Sequence, residues 1–158
     1  LEALAAADVD YMTVGKVTEE AAFTKDIYFW GRPSAADYKA DSSAGSNKGP
    51  TNEAYLAEVE ARVDSFLVHH PYLERKDVPA EMVTASGFGL DPHITPACAY
   101  VQVKRVAEAR GMNEETVKDL VDKMVEKPFL GLFGTEKVNV LKLNVALDEH
   151  KKKTLICL

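Results

Sequence analysis

The stretch Thr84–Gly111, T-A-S-G-F-G-L-D-P-H-I-T-P-A-C-A-Y-V-Q-V-K-R-V-A-E-A-R-G, constrains this chain more than any other. Gly87 and Gly89 sit two apart, where backbone can take positive φ or approach another segment closely. Asp91-Pro92 sets a turn, because proline fixes its own φ and pushes its predecessor out of the helical region. Thr95 is a good N-cap and Pro96 a good first helical residue, so a helix is predicted to start there. Ala99, Val103, Val106 and Ala107 recur at helical spacing, and Gly111 closes the run at C′, which gives a helix over 96–110. The loop is thus held between apolar Met82-Val83 and a well-capped helix. It is either a structural connector or a contact surface for a protein, ligand or ion.

Upstream, Leu1–Ala7 is compatible with helix, and Tyr11–Val14 with Val17 reads as strand around a Gly15-Lys16 turn. Ile27, Tyr28, Phe29 and Trp30 form an aromatic cluster, which points to core. Gly31-Arg32-Pro33-Ser34 then reads as a sharp turn. Residues 41–50 form a Ser/Gly/Asn loop with no apolar period, of a length that is either functional or disordered. Lys48-Gly49 is not a phosphate-binding loop, since the GxxxxGK[ST] order is absent.

Thr51 or Asn52 caps a predicted helix over 52–69, with Leu56, Val59, Val63, Phe66 and Leu67 as its buried stripe. Pro71 stops it, and His69 and His70 read as surface residues at its end. Asn113 caps a further helix over 114–126, with Val117, Leu120, Val121, Met124 and Val125 on its apolar face. Phe129–Gly134 is expected to be a buried connection or a strand close to another backbone. Val138–Leu147 reads as the clearest strand, with Leu141, Leu143, Val145 and Leu147 alternating onto one face. The fold class that results is α/β (α+β): one domain over 1–158, a small sheet including strand 138–147, and about three helices.

At 158 residues the chain is long enough for one sizeable core. A net charge of −6 argues against nucleic acid and against an anionic membrane surface as the main partner. The two cysteines, Cys98 and Cys157, make no disulfide framework, and Cys98 reads as a small buried hydrophobe. No run of apolar residues is long enough to span a membrane. The chain opens on Leu1, so a spanning helix before it remains an expectation. Ser86 is not in a G-x-S-x-G elbow, and no rule pairs it with His93 as a hydrolase dyad. Asp91 and His93 fit a turn better than a metal site, so no metal is expected. Gln102, Lys104, Arg105 and Arg110 read as a solvated polar face of the central helix.

Five motifs occur in order: F-W-G-R-P-S-A at 29–35, A-G-S-N-K-G-P-T-N at 44–52, T-A-S-G-x-G-L-D-P-H-I-T-P at 84–96, Q-V-x-R-V-A-x-A-R-G at 102–111 and V-N-V-L-K-L-N-V-A-L-D at 138–148. Together they resemble the C subunit of the Kdp potassium-transporting ATPase of bacteria, the KdpC family, over roughly residues 23–148. The resemblance implies a non-catalytic extracytoplasmic domain behind an N-terminal transmembrane helix at the inner membrane. Its implied partners are a channel-like potassium-translocating subunit, a P-type ATPase subunit and a small membrane subunit.

Two roles follow from the resemblance: stabilising that assembly, or acting as a nucleotide-binding, chaperone-like subunit that raises the ATP affinity of the ATPase subunit. They conflict, because ATP is cytoplasmic and an outer domain cannot reach it. Ala97 stands where the family commonly has glutamine, and Phe88 where it favours a small residue. Both departures weaken a nucleotide site here, so ATP is expected through the ATPase subunit. The partner- or nucleotide-binding candidates are Arg32, Ser34, Asn47, Lys48, Ser86, Gly87, Gly89, Asp91, Gln102 and Arg105. Docking is expected through residues 31–50 and 84–105, with charge reversal at Arg32 or Arg105 weakening assembly without unfolding the domain.

Overall fold

Three helix termini form where the sequence places their caps. In the computed structural model, which describes residues 25–39, 44–128 and 130–156, with side chains through residue 150, Asn52 Oδ1 accepts from Tyr55 N–H at 2.9 Å and opens helix α1, Glu53–His69. Asn113 Oδ1 likewise accepts from Glu115 N–H at 2.8 Å and opens a later helix, Glu114–Met124. Gly111 closes the helix before it at φ +64, the left-handed conformation that glycine adopts without steric cost. The readings made for residues 1–24, 41–43, Phe129 and Cys157 lie outside the described residues.

Strand β1, His93–Ile94, leads into two helices rather than one: α2, Pro96–Tyr100, and α3, Val103–Arg110. The break has a definite cause. The Tyr72 hydroxyl donates to Val101 O at 2.8 Å and accepts from Arg105 N–H at 3.2 Å, occupying the pair that a continuous helix would join directly. Thr95 does not cap α2 with its own side chain. Glu81 instead holds the N-cap residue itself, accepting from Thr95 N–H at 3.1 Å and from the Thr95 hydroxyl at 2.9 Å.

Helix α4, Glu114–Met124, runs directly into strand β2, Val125–Glu126. Strand β3 is only Lys137–Asn139, and helix α5, Val140–Ile156, occupies the rest of what the sequence reads as a long strand. The apolar residues here satisfy both periods. Leu141, Leu143, Val145 and Leu147 alternate, while Val140, Leu143, Asn144 and Leu147 share a helical arc, and it is this arc that is buried. Asn139 decides the matter by accepting from Lys142 N–H at 3.0 Å as a helix cap.

The sheet is antiparallel with order β1-β3-β2; His93 pairs with Asn139, and Val125 pairs with Val138. Against it lie α2, α4 and α5, with α3 packed on α4, and their buried faces meet Phe29 in a core that includes Ile94, Ala99, Val106, Val117, Val121, Val138, Leu143 and Leu147. Ala99, Val103, Val106 and Ala107 are all buried, as their spacing predicts, and so is Cys98.

The α+β class holds, with two corrections to expected burial. Of the stripe expected on α1, only Phe66 is buried and Leu56 is exposed, because the helix lies at the edge of the core. Leu130, Leu132 and Phe133 are exposed rather than part of a buried connection. Among the described residues, no helix is long and apolar enough to cross a membrane.

Candidate functional site

Residues Asp26–Trp30 leave a turn closed by Tyr28 N–H to Lys25 O at 3.1 Å and pair with no strand, yet their carbonyls are satisfied in succession by side chains. Arg105 Nη1 donates to Asp26 O at 2.7 Å, and Arg105 Nη2 donates to Tyr28 O at 3.0 Å. Arg110 Nε donates to Ile27 O. Asn144 then grips Phe29 at both ends of its peptide units, accepting its N–H at 2.9 Å and donating to its carbonyl at 3.0 Å. Gln102 treats Trp30 the same way, accepting its N–H at 2.7 Å and donating to its carbonyl at 3.2 Å. Two buried amide side chains therefore supply what a neighbouring strand would supply in a sheet. Because α3 and its N-cap residue carry Gln102, Arg105 and Arg110 at i, i+3 and i+8 while α5 carries Asn144, the segment is clamped to both helices.

This clamp corrects the reading of a solvated helix face. Gln102 is 0% and Arg105 3% exposed, and their functional groups are fully engaged inside the chain. Arg105 Nη2 also donates to Gln102 Oε1 at 2.8 Å, and its guanidinium lies 4.2 Å from the Trp30 ring centroid. His70, expected on the surface, is buried and stacks on Phe66 with ring centroids 3.9 Å apart. Its Nδ1–H donates to Phe66 O at 2.7 Å and its Nε2 accepts from Arg105 Nε at 2.9 Å, the pattern of a neutral imidazole. Burial, reinforced by the Arg105 charge, pushes His70 down to about 4. Burial likewise brings Arg105 down to about 10, offset by Asp26, so it stays cationic at neutral pH.

Immediately after the clamp, the chain enters the loops that the sequence singled out. Pro33 O accepts from Ser86 N–H at 3.0 Å, and Arg32 Nη2 donates to Ala85 O at 3.2 Å, fastening one loop to the other. Arg32 Nη1 also lies 4.0 Å from Glu81. Burial alone would raise the Glu81 carboxyl, but hydrogen bonds from Cys98 and Thr95 and the nearby Arg32 hold it below its usual value.

Ser34 Oγ accepts from Ala36 N–H and Tyr38 N–H, each at 3.1 Å, and Ser86 Oγ accepts from Gly89 N–H at 2.9 Å. Gly89 has φ +84, and a Cβ there would meet Ala36 Cβ, Ala44 O and Ser34 Oγ at 3.2 Å. Gly45 is equally close to Gly87, with a Cβ–carbonyl distance of 3.3 Å. Arg32, Ser34, Ser86, Gly87 and Gly89 are thus brought together with 44–46 in one fastened face. Phe88 stands out from it at 57% exposure.

Asn47 and Lys48 lie on the outer part of this loop. Asn47 has φ +49, and Lys48 is ion-paired with Glu58. Asp91 Oδ1 accepts from His93 N–H at 3.0 Å and lies 3.1 Å from His93 Nδ1, the local turn that the spacing implies. Ser86 Oγ accepts from Gly89 and His93 Nδ1 lies against Asp91, and no hydrogen bond joins Ser86 to His93. A depression of about 200 Å³ lies beside the face, lined in part by Trp30, Pro33, Tyr38 and Arg62. That is small against the roughly 300–1,000 Å³ of small-molecule sites. Among the described residues, no cluster of His, Cys, Asp or Glu could hold a metal ion.

Sequence reasoning missed Asn144, His70 and Tyr72, whose partners lie far along the chain. The signal for Asn144 was its place on the Val140–Leu143–Leu147 arc, where a polar side chain must find a buried partner.

These features define a small α+β module in which buried polar side chains brace a face built from loops. A family model described as K+-transporting ATPase, c chain (KdpC) matches residues 6–149. The chain is 71% identical over 147 residues to a potassium-transporting ATPase KdpC subunit of Bacteroides thetaiotaomicron, covering 92% of this chain and 78% of the relative. It is 74% identical over 140 residues to the corresponding subunit of Phocaeicola vulgatus, covering 87% and 74%. It is 51% identical over 145 residues to that of Caldanaerobacter subterraneus subsp. tengcongensis, covering 92% and 75%. The chain therefore belongs to the KdpC family, the c chains of potassium-transporting ATPases.

Proposed function

We propose that this chain is a non-catalytic accessory subunit of a potassium-transporting ATPase complex at the membrane, acting on its extracytoplasmic side. It assembles with a channel-like potassium-translocating subunit, a P-type ATPase subunit and a small membrane subunit, and it docks through the face formed by residues 31–39, 44–49 and 84–93. The observation that carries this reading is the division of labour between clamp and face. Arg32, Ser34, Ser86 and Asp91 hold backbone groups of the loops, which are fastened into one shape with Phe88 projecting. Rigid loops with an aromatic side chain outermost suit protein recognition, because little ordering cost remains on binding.

The alternative, a nucleotide-binding subunit, has less support. Lys48 is paired with Glu58, and the Ser34 and Ser86 hydroxyls accept backbone hydrogen bonds.

The test is co-expression of the other subunits with and without the full-length chain, reading co-purification and potassium-stimulated ATP hydrolysis. The expected result is loss of both without it, and a smaller loss with Phe88→Asp. Normal assembly and hydrolysis in its absence would refute the accessory role. Saturable binding of millimolar ATP to the chain alone would instead favour the nucleotide reading. Charge reversal at Arg32 would unfasten the loop at Ala85 and set a carboxylate beside Glu81, so it perturbs the face itself, whereas burial of Arg105 means that its reversal would unfold the chain.

A further inference from the structure

The loop between β2 and β3 carries Leu130, Leu132 and Phe133 at 74%, 80% and 66% exposure, a concentration of apolar surface that the fold itself does not use. Its eight residues from Pro128 to Thr135 include no charge. Gly131 at φ +71 and Gly134 at φ +100 turn the backbone so that the leucine and phenylalanine side chains stand outside the sheet. The register of β3 fixes where this tip lies. The chain enters β1 beside Asn139, while the β2–β3 loop leaves beside Lys137, so the tip and the Phe88 face lie at opposite ends of the sheet.

Charge and area narrow the occupant. Lys127, Lys137 and Lys142 share the neck of the loop with Glu126 and Glu136, and Glu126 holds Lys137 and Lys142 at 3.8 and 3.1 Å, so the charges there are mixed in sign. Together with a net charge of −6, that leaves no basic collar to draw in anionic lipid headgroups. The three side chains expose on the order of 300 Å² of apolar surface. This is well short of the roughly 800 Å² per partner in a stable interface, so two tips cannot hold two copies together. A knob of that size, uncharged and apolar, suits a subunit already held nearby by other contacts.

We infer that the 130–133 tip is a second docking point, seated in an uncharged apolar cleft of another subunit of the same complex. On this view the chain touches the complex at both ends of its sheet. The inference rests on the accessory-subunit reading and adds a contact to it.

The experiment uses the full-length chain co-expressed with the other subunits, carrying a photo-cross-linker at position 132 in one preparation and Leu132→Asp with Phe133→Asp in another. The expected result is an adduct with another subunit, together with at least a fivefold loss of the double variant from the purified complex. Retention within twofold of wild type overturns the inference, as do a missing subunit adduct, an adduct with lipid, or one with a second copy. Omitting the chain altogether separates the two readings. If the complex needs the chain but retains the double variant, only the second docking point falls.

Discussion

Replacing Gln102 by leucine tests whether the side-chain clamp holds the domain together. The substitution removes hydrogen bonds of 2.7 and 3.2 Å to the Trp30 peptide groups, 2.8 Å from Arg105 and 2.9 Å to Cys98 O. Leucine has nearly the same volume, so the cavity contribution is small and the loss is electrostatic. It strands Trp30 N–H, Trp30 C=O, Cys98 C=O and one Arg105 N–H inside the protein, each worth about 1–3 kcal/mol when buried and unsatisfied. Trp30 is only partly buried and the new side chain recovers some apolar contact, so the lower part of that range applies, about 3–5 kcal/mol in total. Against a typical stability of about 5–15 kcal/mol this is a large fraction. At about 2–4 °C per kcal/mol for a chain of this size, the unfolding midpoint falls by roughly 6–20 °C. Urea denaturation followed by circular dichroism measures the loss. Trp30, the sole tryptophan, reports locally through a red shift of its native emission. Glu108→Leu, at an exposed position of the same helix, serves as control with a change within about 0.5 kcal/mol. A loss below about 1 kcal/mol for Gln102→Leu would mean that other groups or water satisfy Trp30, and the clamp argument would fail.

His70 gives a pH dependence whose sign follows from its lowered value. An ordinary histidine takes up its proton near 6.5, whereas native His70 does so only near 4, so between these values the unfolded chain binds more protons. The stabilisation is present above 6.5 and is lost as pH falls towards 4; the groups facing the ring are Arg105, His69 and Asp26. The urea midpoint should decline across that window, and His70→Asn should remove this part of the decline. The two positive-φ glycines separate strain from crowding. Gly111→Ala adds a Cβ into open space and costs about 1 kcal/mol, while Gly89→Ala also meets three atoms at 3.2 Å and costs more, about 2–4 kcal/mol, in thermal melts. Burial raises the Cys98 thiol to about 12. In a Cys157→Ser background it should resist an aromatic disulfide reagent at pH 8 until the chain is denatured.

What could be read from the sequence divides by range. Caps are local, so Asn52, Asn113 and Gly111 did what their positions indicate. The core arc of Ala99, Val103, Val106 and Ala107 is equally local. The α2–α3 break was hidden because its cause, the Tyr72 hydroxyl, lies 29 residues before the carbonyl it takes. Asn144 and Phe29 are separated by 115 residues, Gln102 and Trp30 by 72, and no spacing rule connects such pairs. The strand reading of 138–147 failed because its apolar residues satisfy two periods at once. Only the cap at Asn139 and the burial of Asn144 favour one. At the loops, the glycines and turn residues could be recognised individually, but not that residues 44–46 would lie against 87–89.

The clamp and the loop face are physically continuous. Trp30, held by Gln102, is followed directly by Gly31, Arg32 and Pro33, whose contacts to Ala85 and Ser86 fasten the second loop. Without the side-chain bonds, the carbonyls of Asp26–Trp30 would have no partner and the segment could not fix where Arg32 and Pro33 sit. The F-W and Q-V-x-R motifs are then two halves of one internal joint, and the G-R-P-S and S-G-F-G motifs are two halves of the face that the joint positions. A surface fixed in this way loses little freedom on binding, where each side chain left to be ordered would cost about 0.5–1.5 kcal/mol. Buried residues that touch no partner thereby govern how well the exposed ones can.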